Sequence, residues 1–260
     1  MTISSISEQT DINGKSIFIE YHYNNDDKPT LVFLHDSLGC TQVWRDFPHK
    51  VAAATQCNLL IYDRVGYGKS EPMPTHQRPN DYMELEAKVT HDILEHFDIK
   101  DAILFGHSDG GTIALLTAAL YPENIKSIIV EAAHIFVEDI TLQGIQDAMK
   151  NFENTNLPER LAKYHGRHVE KLFKAWTETW LRPSFRNWNI EHLLPKIKCP
   201  VLFIQGDKDE YGSLQQVEKT LSVVKGYSDK LILSNIGHSP HREVPNIVIE
   251  KTKEYIDQLS

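Results

Sequence analysis

The chain has 260 residues, 41% hydrophobic and 24% charged, a balance that suits a folded domain with a substantial core and excludes a disordered or collagen-like chain. Its 27 Lys and Arg against 36 Asp and Glu leave a net charge of −9, which argues against a nonspecific phosphate-backbone binder, so no nucleic-acid partner is expected. Cys40, Cys57 and Cys199 are too few and too scattered for a disulfide framework or a zinc cluster, and no apolar run approaches the roughly 18 residues of a membrane span. The first eight residues also lack the basic and apolar regions of a signal peptide, so a cytoplasmic monomer or small homo-oligomer without membrane attachment is expected.

In chain order, residues 3–6 and 16–23 read as an antiparallel entry hairpin, and Asn24-Asn25-Asp26-Asp27 reads as a hairpin turn. Short, mostly continuous apolar runs follow at 30–35, 58–63, 102–106, 125–131, 201–205 and 230–234. Between them lie helical patterns at 42–54, 83–97, 108–120, 214–224 and 247–259, the third closed by Tyr121-Pro122. Buried-looking strands alternating with helices predict an α/β fold: a mostly parallel sheet of about eight strands with helices on both faces.

The alternation stops between 134 and 198, where the period becomes helical. This predicts a core domain of residues 1–133 and 199–260 carrying a helical cap at 134–198. Val169, Leu172, Phe173, Trp176, Trp180 and Leu181 form one apolar stripe of a single helix. With Trp188, this puts three of the four tryptophans in the insertion. Such a stripe packs a core, and Trp176 and Trp180 are also candidates to roof a pocket.

Gly106-His107-Ser108-Asp109-Gly110 is a G-x-S-x-G pattern between an apolar run and a small-residue helix. That context suits a sharp strand-to-helix turn presenting a serine hydroxyl, with glycines where side chains would clash. A glycine-flanked serine capping a helix gives the same pattern, so the partners decide. Serine is a weak nucleophile and needs a base, which in turn needs a carboxylate to fix its tautomer. Both follow in order. Gly206-Asp207-Lys208-Asp209-Glu210 lies after one predicted strand, and a loop with His238 and His241 lies after the next. Open sheets of this kind place their sites at the carboxyl ends of strands.

Together with these, residues 31–39 (LVFLHDSLG) and 63–70 (DRVGYGKS) make the chain resemble the α/β-hydrolase superfamily over essentially its whole length. The resemblance implies Ser108 as nucleophile, His238 as base and Asp209 as orienting acid, with Asp207, Glu210 and His241 as rivals. The backbone N–H groups of Ser37 and Asp109 would form the oxyanion hole. Asp36 stands where the family has glycine. His165 and His168, at i and i+3, lack the cysteines or carboxylates of a metal site.

These features lead to the expectation of a serine hydrolase acting on a small-molecule carboxylic ester, with no metal or organic cofactor. A biphenyl-hydrolase-like branch, which includes hydrolases of amino-acid esters, is the nearest resemblance. It rests on residues 106–111, Tyr121-Pro122 and His192-Leu193-Leu194-Pro195. The carboxylate of Asp109 beside an oxyanion hole would then need compensation by the helix dipole, by Arg64 or by a cationic substrate group. Asp109, Trp176 and Trp180 are the candidate substrate contacts. Carbon–carbon bond hydrolysis, thioester hydrolysis and a non-catalytic ligand receptor are the alternatives.

Overall fold

The computed structural model describes residues 4–23 and 27–259. Strand β1 (Ser4–Ile12) pairs antiparallel with β2 (Lys15–Tyr23) through Asn13 and Gly14, whose φ values of 52° and 81° belong to the two-residue turn that matches strand twist. The hairpin is therefore longer than expected. Its first strand is largely exposed, with Ile6 and Ile12 as its only large apolar residues, so most of β1 carries no alternation signal. Residues 24–26 of the expected turn lie outside the described residues. The strands on either side of it are not neighbours, because β4 (Asn58–Tyr62) lies between β2 and β3 (Thr30–Leu34).

Strands β5 (Ala102–His107), β6 (Ile125–Glu131), β7 (Val201–Gly206) and β8 (Ser228–Leu233) complete an eight-stranded sheet of order β1-β2-β4-β3-β5-β6-β7-β8, parallel from β4 onward. Every residue of β3, β4, β5 and β7 is buried, as expected of strands covered on both faces. Successive side chains divide between two cores. Leu31, Phe33, Ile103 and Phe105 pack with α1 (Phe47–Thr55) and α8 (Pro245–Asp257). Val32, Leu34 and Leu104 face α2 (Tyr82–His96), α3 (Asp109–Leu120) and α7 (Gln215–Val223). Each such side chain contributes about 1.5–3 kcal/mol by burial.

The helix expected over 42–54 is broken. A 3-10 turn at Thr41–Trp44 ends where Arg45 takes φ 55°, and α1 restarts with Pro48 in its first turn.

Between β6 and β7 the chain forms α4 (Asp139–Asn154), α5 (Leu157–His165) and α6 (Val169–Leu181), with 3-10 turns at Pro183–Phe185 and Leu194–Lys196. Its one extended pairing among the described residues is the bridge Phe136–Asn189. Phe173, Trp176, Trp180 and Leu181 of the α6 stripe join the core on the α2 and α3 side, where Trp188 stacks on Phe185 at 5.3 Å, while Leu172 packs in a small separate cluster with Tyr67 and Met73.

Candidate active site

Ser108 lies between β5 and α3 at φ 55° and ψ −120°, a conformation side-chain-bearing residues rarely adopt. Both flanking glycines are required by close approach. A Cβ on Gly106 would lie 2.1 Å from the Gly110 carbonyl oxygen, and one on Gly110 would lie 2.0 Å from the Leu34 carbonyl oxygen. The Ser108 N–H donates to the Glu131 carbonyl at 2.8 Å, tying the turn to β6. Asp109 opens α3, so its N–H is among those without an intrahelical acceptor.

The loop after β7 brings Asp209 to His238. The ring Nδ1 is 2.8 and 2.9 Å from the two carboxylate oxygens, and since a carboxylate only accepts, Nδ1 carries a proton, so that in the neutral ring Nε2 keeps its lone pair. Asp209 also accepts from the N–H groups of Tyr211 (2.8 Å) and Gly212 (3.3 Å) and from Gln205 Nε2 (2.6 Å). Burial alone would raise the Asp209 pKa, but the charge and hydrogen bond of His238 outweigh it and hold the carboxyl at about 2. Burial alone would lower His238, and Asp209 reverses that, raising its pKa above the usual histidine value.

The rivals make other contacts. Asp207 accepts the Asn235 N–H at 2.7 Å, and Glu210 accepts the His238 backbone N–H at 3.3 Å. His241 pairs with buried Glu131, its N–H and Nδ1 lying 2.8 and 3.0 Å from Oε1. His107 Nε2 donates to the His238 carbonyl at 2.8 Å. One nitrogen or oxygen atom from each of His107, Glu131 and His241 lies within 4.8 Å of the other two, but hydrogen bonds engage His107 Nε2, His241 Nδ1 and Glu131 Oε1, while Glu131 Oε2 is buried without a partner.

Asp36 fits its loop without left-handed backbone. Its carboxylate packs over Gly39, and its carbonyl accepts from Arg64 Nη2 and His35 Nδ1, both at 2.8 Å. Burial pushes its pKa up, but His107, Arg242, His35 and His241 together hold it at about 2. Asp109 is compensated from within the protein. Tyr82 donates to its Oδ2 at 3.0 Å, Trp180 Nε1 donates to Tyr82 Oη at 3.1 Å, and the buried Arg64 Nη1 lies 3.7 Å from the same oxygen.

Ser37, Ser108, Asp109, Trp176, Trp180 and His238 line one cavity of about 210 Å³; Asp209 lies behind His238 rather than on the wall. Sequence reasoning missed Tyr82 and three further neighbours of the site. His134 donates from Nε2 to the Tyr211 carbonyl at 3.0 Å, Tyr211 sets its ring 4.7 Å from that of His238, and Glu131 accepts the Ser108 N–H on its carbonyl while its carboxylate pairs with His241. An apolar or helical pattern gives these residues no distinguishing signal. His165 bridges two loops, accepting from the Gly68 N–H at Nδ1 and donating from Nε2 to the Leu38 carbonyl, both at 3.0 Å.

A family model described as alpha/beta hydrolase fold matches residues 29–196. Serine hydrolase BPHL of Mus musculus is 30% identical over 227 residues, covering 85% of this chain and 76% of that protein. Serine hydrolase BPHL of Homo sapiens is 33% identical over 156 residues, 58% of this chain and 53% of that protein. Among solved structures, 2-hydroxy-6-oxo-6-phenylhexa-2,4-dienoate hydrolase from Rhodococcus sp. strain RHA1 shares the fold with a TM-score of 0.77 at 16% identity, covering 98% of this chain and 100% of that one. No helix among the described residues is long and apolar enough to cross a membrane.

Proposed function

The chain belongs to the alpha/beta hydrolase family, and from that footing we propose that it is a serine hydrolase cleaving a small carboxylic ester through an acyl-enzyme on Ser108. The observation that carries this reading is the two-oxygen contact of Asp209 with His238 Nδ1, at 2.8 and 2.9 Å, beside a strained Ser108 in the same cavity.

In the proposed cycle His238 Nε2 takes the Ser108 proton as Oγ attacks the carbonyl carbon. The oxyanion accepts hydrogen bonds from the N–H groups of Asp109 and Ser37, each such donor being worth about 10²- to 10³-fold in rate. Collapse breaks the bond to the leaving oxygen, which takes the proton from His238. Water, deprotonated by the same ring, then releases the acid. Asp209 stays ionised throughout.

The 210 Å³ cavity is smaller than the roughly 300–1,000 Å³ of drug-sized pockets, which supports a short acyl group against Trp176 and Trp180 under the cap formed by residues 134–198. A second reading, an acyl group bearing a free amine, is favoured by three carboxylates on the wall (Asp36, Asp109 and Glu210) and by the absence of Lys or Arg among the described residues that line it. Arg64 and Tyr82 already engage Asp109, which leaves Asp36 and Glu210 as the wall carboxylates open to an ammonium.

Intact mass after fluorophosphonate treatment tests the main reading. A single adduct on wild type and none on Ser108→Ala supports it, and no adduct on folded wild type overturns it. Comparing esters with free and N-acetylated amines, with and without Glu210→Gln, tests the second: equal rates in both proteins would exclude amine recognition.

A further inference from the structure

On the far side of Asp36 and Leu38 from the catalytic cavity lies a second concavity of about 520 Å³, between α5 and the loop that enters α1. Asp36 and Leu38 line both spaces, so the two share a wall. Their charges are opposite. Among the described residues, the catalytic cavity has three carboxylates and no Lys or Arg, whereas the groove is lined by Arg45, Lys50, Arg160, Lys163 and Arg242 against two carboxylates, Asp36 and Asp46. In a chain of net charge −9, five cations around one concavity are a marked local reversal.

These cations are largely uncommitted. Among the described residues, Lys50 pairs with Asp46 at 2.9 Å, while Arg45, Arg160, Lys163 and Arg242 have no carboxylate within salt-bridge distance. Arg242 donates from Nε to His241 Nε2 at 3.3 Å, which leaves its terminal nitrogens for another acceptor. Arg45 is held at φ 55° and ψ −130°, a backbone state that costs about 1–3 kcal/mol and is sustained only by its surroundings. The floor between the charges is apolar, including Trp44, Phe47 and Leu161.

We propose that this groove binds a phosphate-bearing leaving group, a phosphomonoester or phosphoanhydride carried on the alcohol or thiol side of the scissile bond. The inference rests on the serine-hydrolase reading and extends it. A 210 Å³ cavity accommodates a short acyl group, so a larger leaving group must extend beyond it, and the basic groove lies across the shared wall. Several guanidinium and ammonium groups around a small concavity match a compact polyanion, since the planar fork of Arg offers paired donors to phosphate oxygens. The apolar floor suits an uncharged stretch between the phosphate and the reacting bond.

Calorimetric titration of Ser108→Ala with inorganic pyrophosphate and with inorganic phosphate reads occupancy without turnover. Saturable one-to-one binding is expected, weakened at least ten-fold by Arg160→Ala with Lys163→Ala and unaltered by Lys198→Ala, which does not line the groove. Pyrophosphate binding more tightly than phosphate identifies an internal phosphoanhydride as the recognised group, and equal affinity identifies a terminal phosphomonoester. In otherwise wild-type enzyme, the preference for acetyl-coenzyme A over the neutral acetyl thioester of N-acetylcysteamine should fall about ten-fold in the double variant, with turnover of the neutral thioester unchanged.

Absent binding, or binding indifferent to Arg160 and Lys163, overturns the groove assignment even if the enzyme hydrolyses esters. Localised binding with no preference for the phosphorylated thioester overturns its leaving-group role. Localised binding by a protein that fails to form the fluorophosphonate adduct retains an anion site and overturns the serine-hydrolase reading instead.

Discussion

Nε2 of His165, at the end of α5, lies 3.0 Å from the carbonyl oxygen of Leu38, one residue beyond Ser37. The helical segment thus holds the loop proposed to supply an oxyanion donor, and Nδ1 of the same ring accepts from the Gly68 N–H. Replacing His165 by Leu leaves a carbonyl and an N–H without these partners, at about 1–3 kcal/mol. His165→Leu is therefore expected to unfold at lower urea concentration and to lose ester turnover, and a urea titration read beside kcat/KM checks both.

Acid should weaken the fold through its buried imidazoles. Burial pushes the pKa values of His35, His107, His134 and His165 down, His35 far down and His107 to about 3. The unfolded chain takes up these protons near pH 6.5, while the folded chain resists them. Their stabilising contribution is complete above about pH 6.5 and is lost progressively as pH falls toward the folded values. Tm should decline from pH 7.5 to pH 4.5 in scanning calorimetry, and a flat profile would contradict this account.

The pH dependence of turnover should run on His238. Its pKa is raised chiefly because Asp209 outweighs the effect of burial, and the proposed base works only when neutral. The acidic limb of kcat/KM should therefore lie above pH 6.5, with activity falling as pH drops through it. Asp209→Asn should shift that limb downward and reduce kcat by about 10⁴-fold, the scale found when an orienting carboxylate is neutralised. A pH series on both proteins measures shift and loss together.

Arg64 is almost completely buried and lies 3.7 Å from the equally buried Asp109. Arg64→Met leaves that carboxylate without its cation, a change that typically destabilises by about 3–5 kcal/mol. Tyr82→Phe removes one hydrogen bond to the same oxygen and should cost less, about 1–3 kcal/mol. Equal destabilisation of the two variants in chemical denaturation would show that the ion pair contributes nothing beyond a hydrogen bond.

The parts of this molecule that can be read in sequence are those whose physics is local. The strands of β3 to β7 announce themselves as apolar runs because both faces are covered, and the turn at Ser108 does so because two glycines must admit neighbouring carbonyls. β1 is obscured by its exposed edge, and the break at Arg45 is obscured because no residue there marks a positive φ. The chain Trp180–Tyr82–Asp109 could not be read at all. Its members are 98 and 27 residues apart and meet only because α6 and α2 converge over the first turn of α3.

The backbone of Ser108 sits in a region that glycine enters freely and serine does not, a strain of about 1–3 kcal/mol. Ser108→Gly should therefore melt at a higher temperature than Ser108→Ala, although both lack the hydroxyl. Any process that rewarded sturdiness alone would erode this position first, toward glycine. A serine persists there only under a demand other than durability, and the surplus Tm of the glycine variant would measure how strong that demand has been.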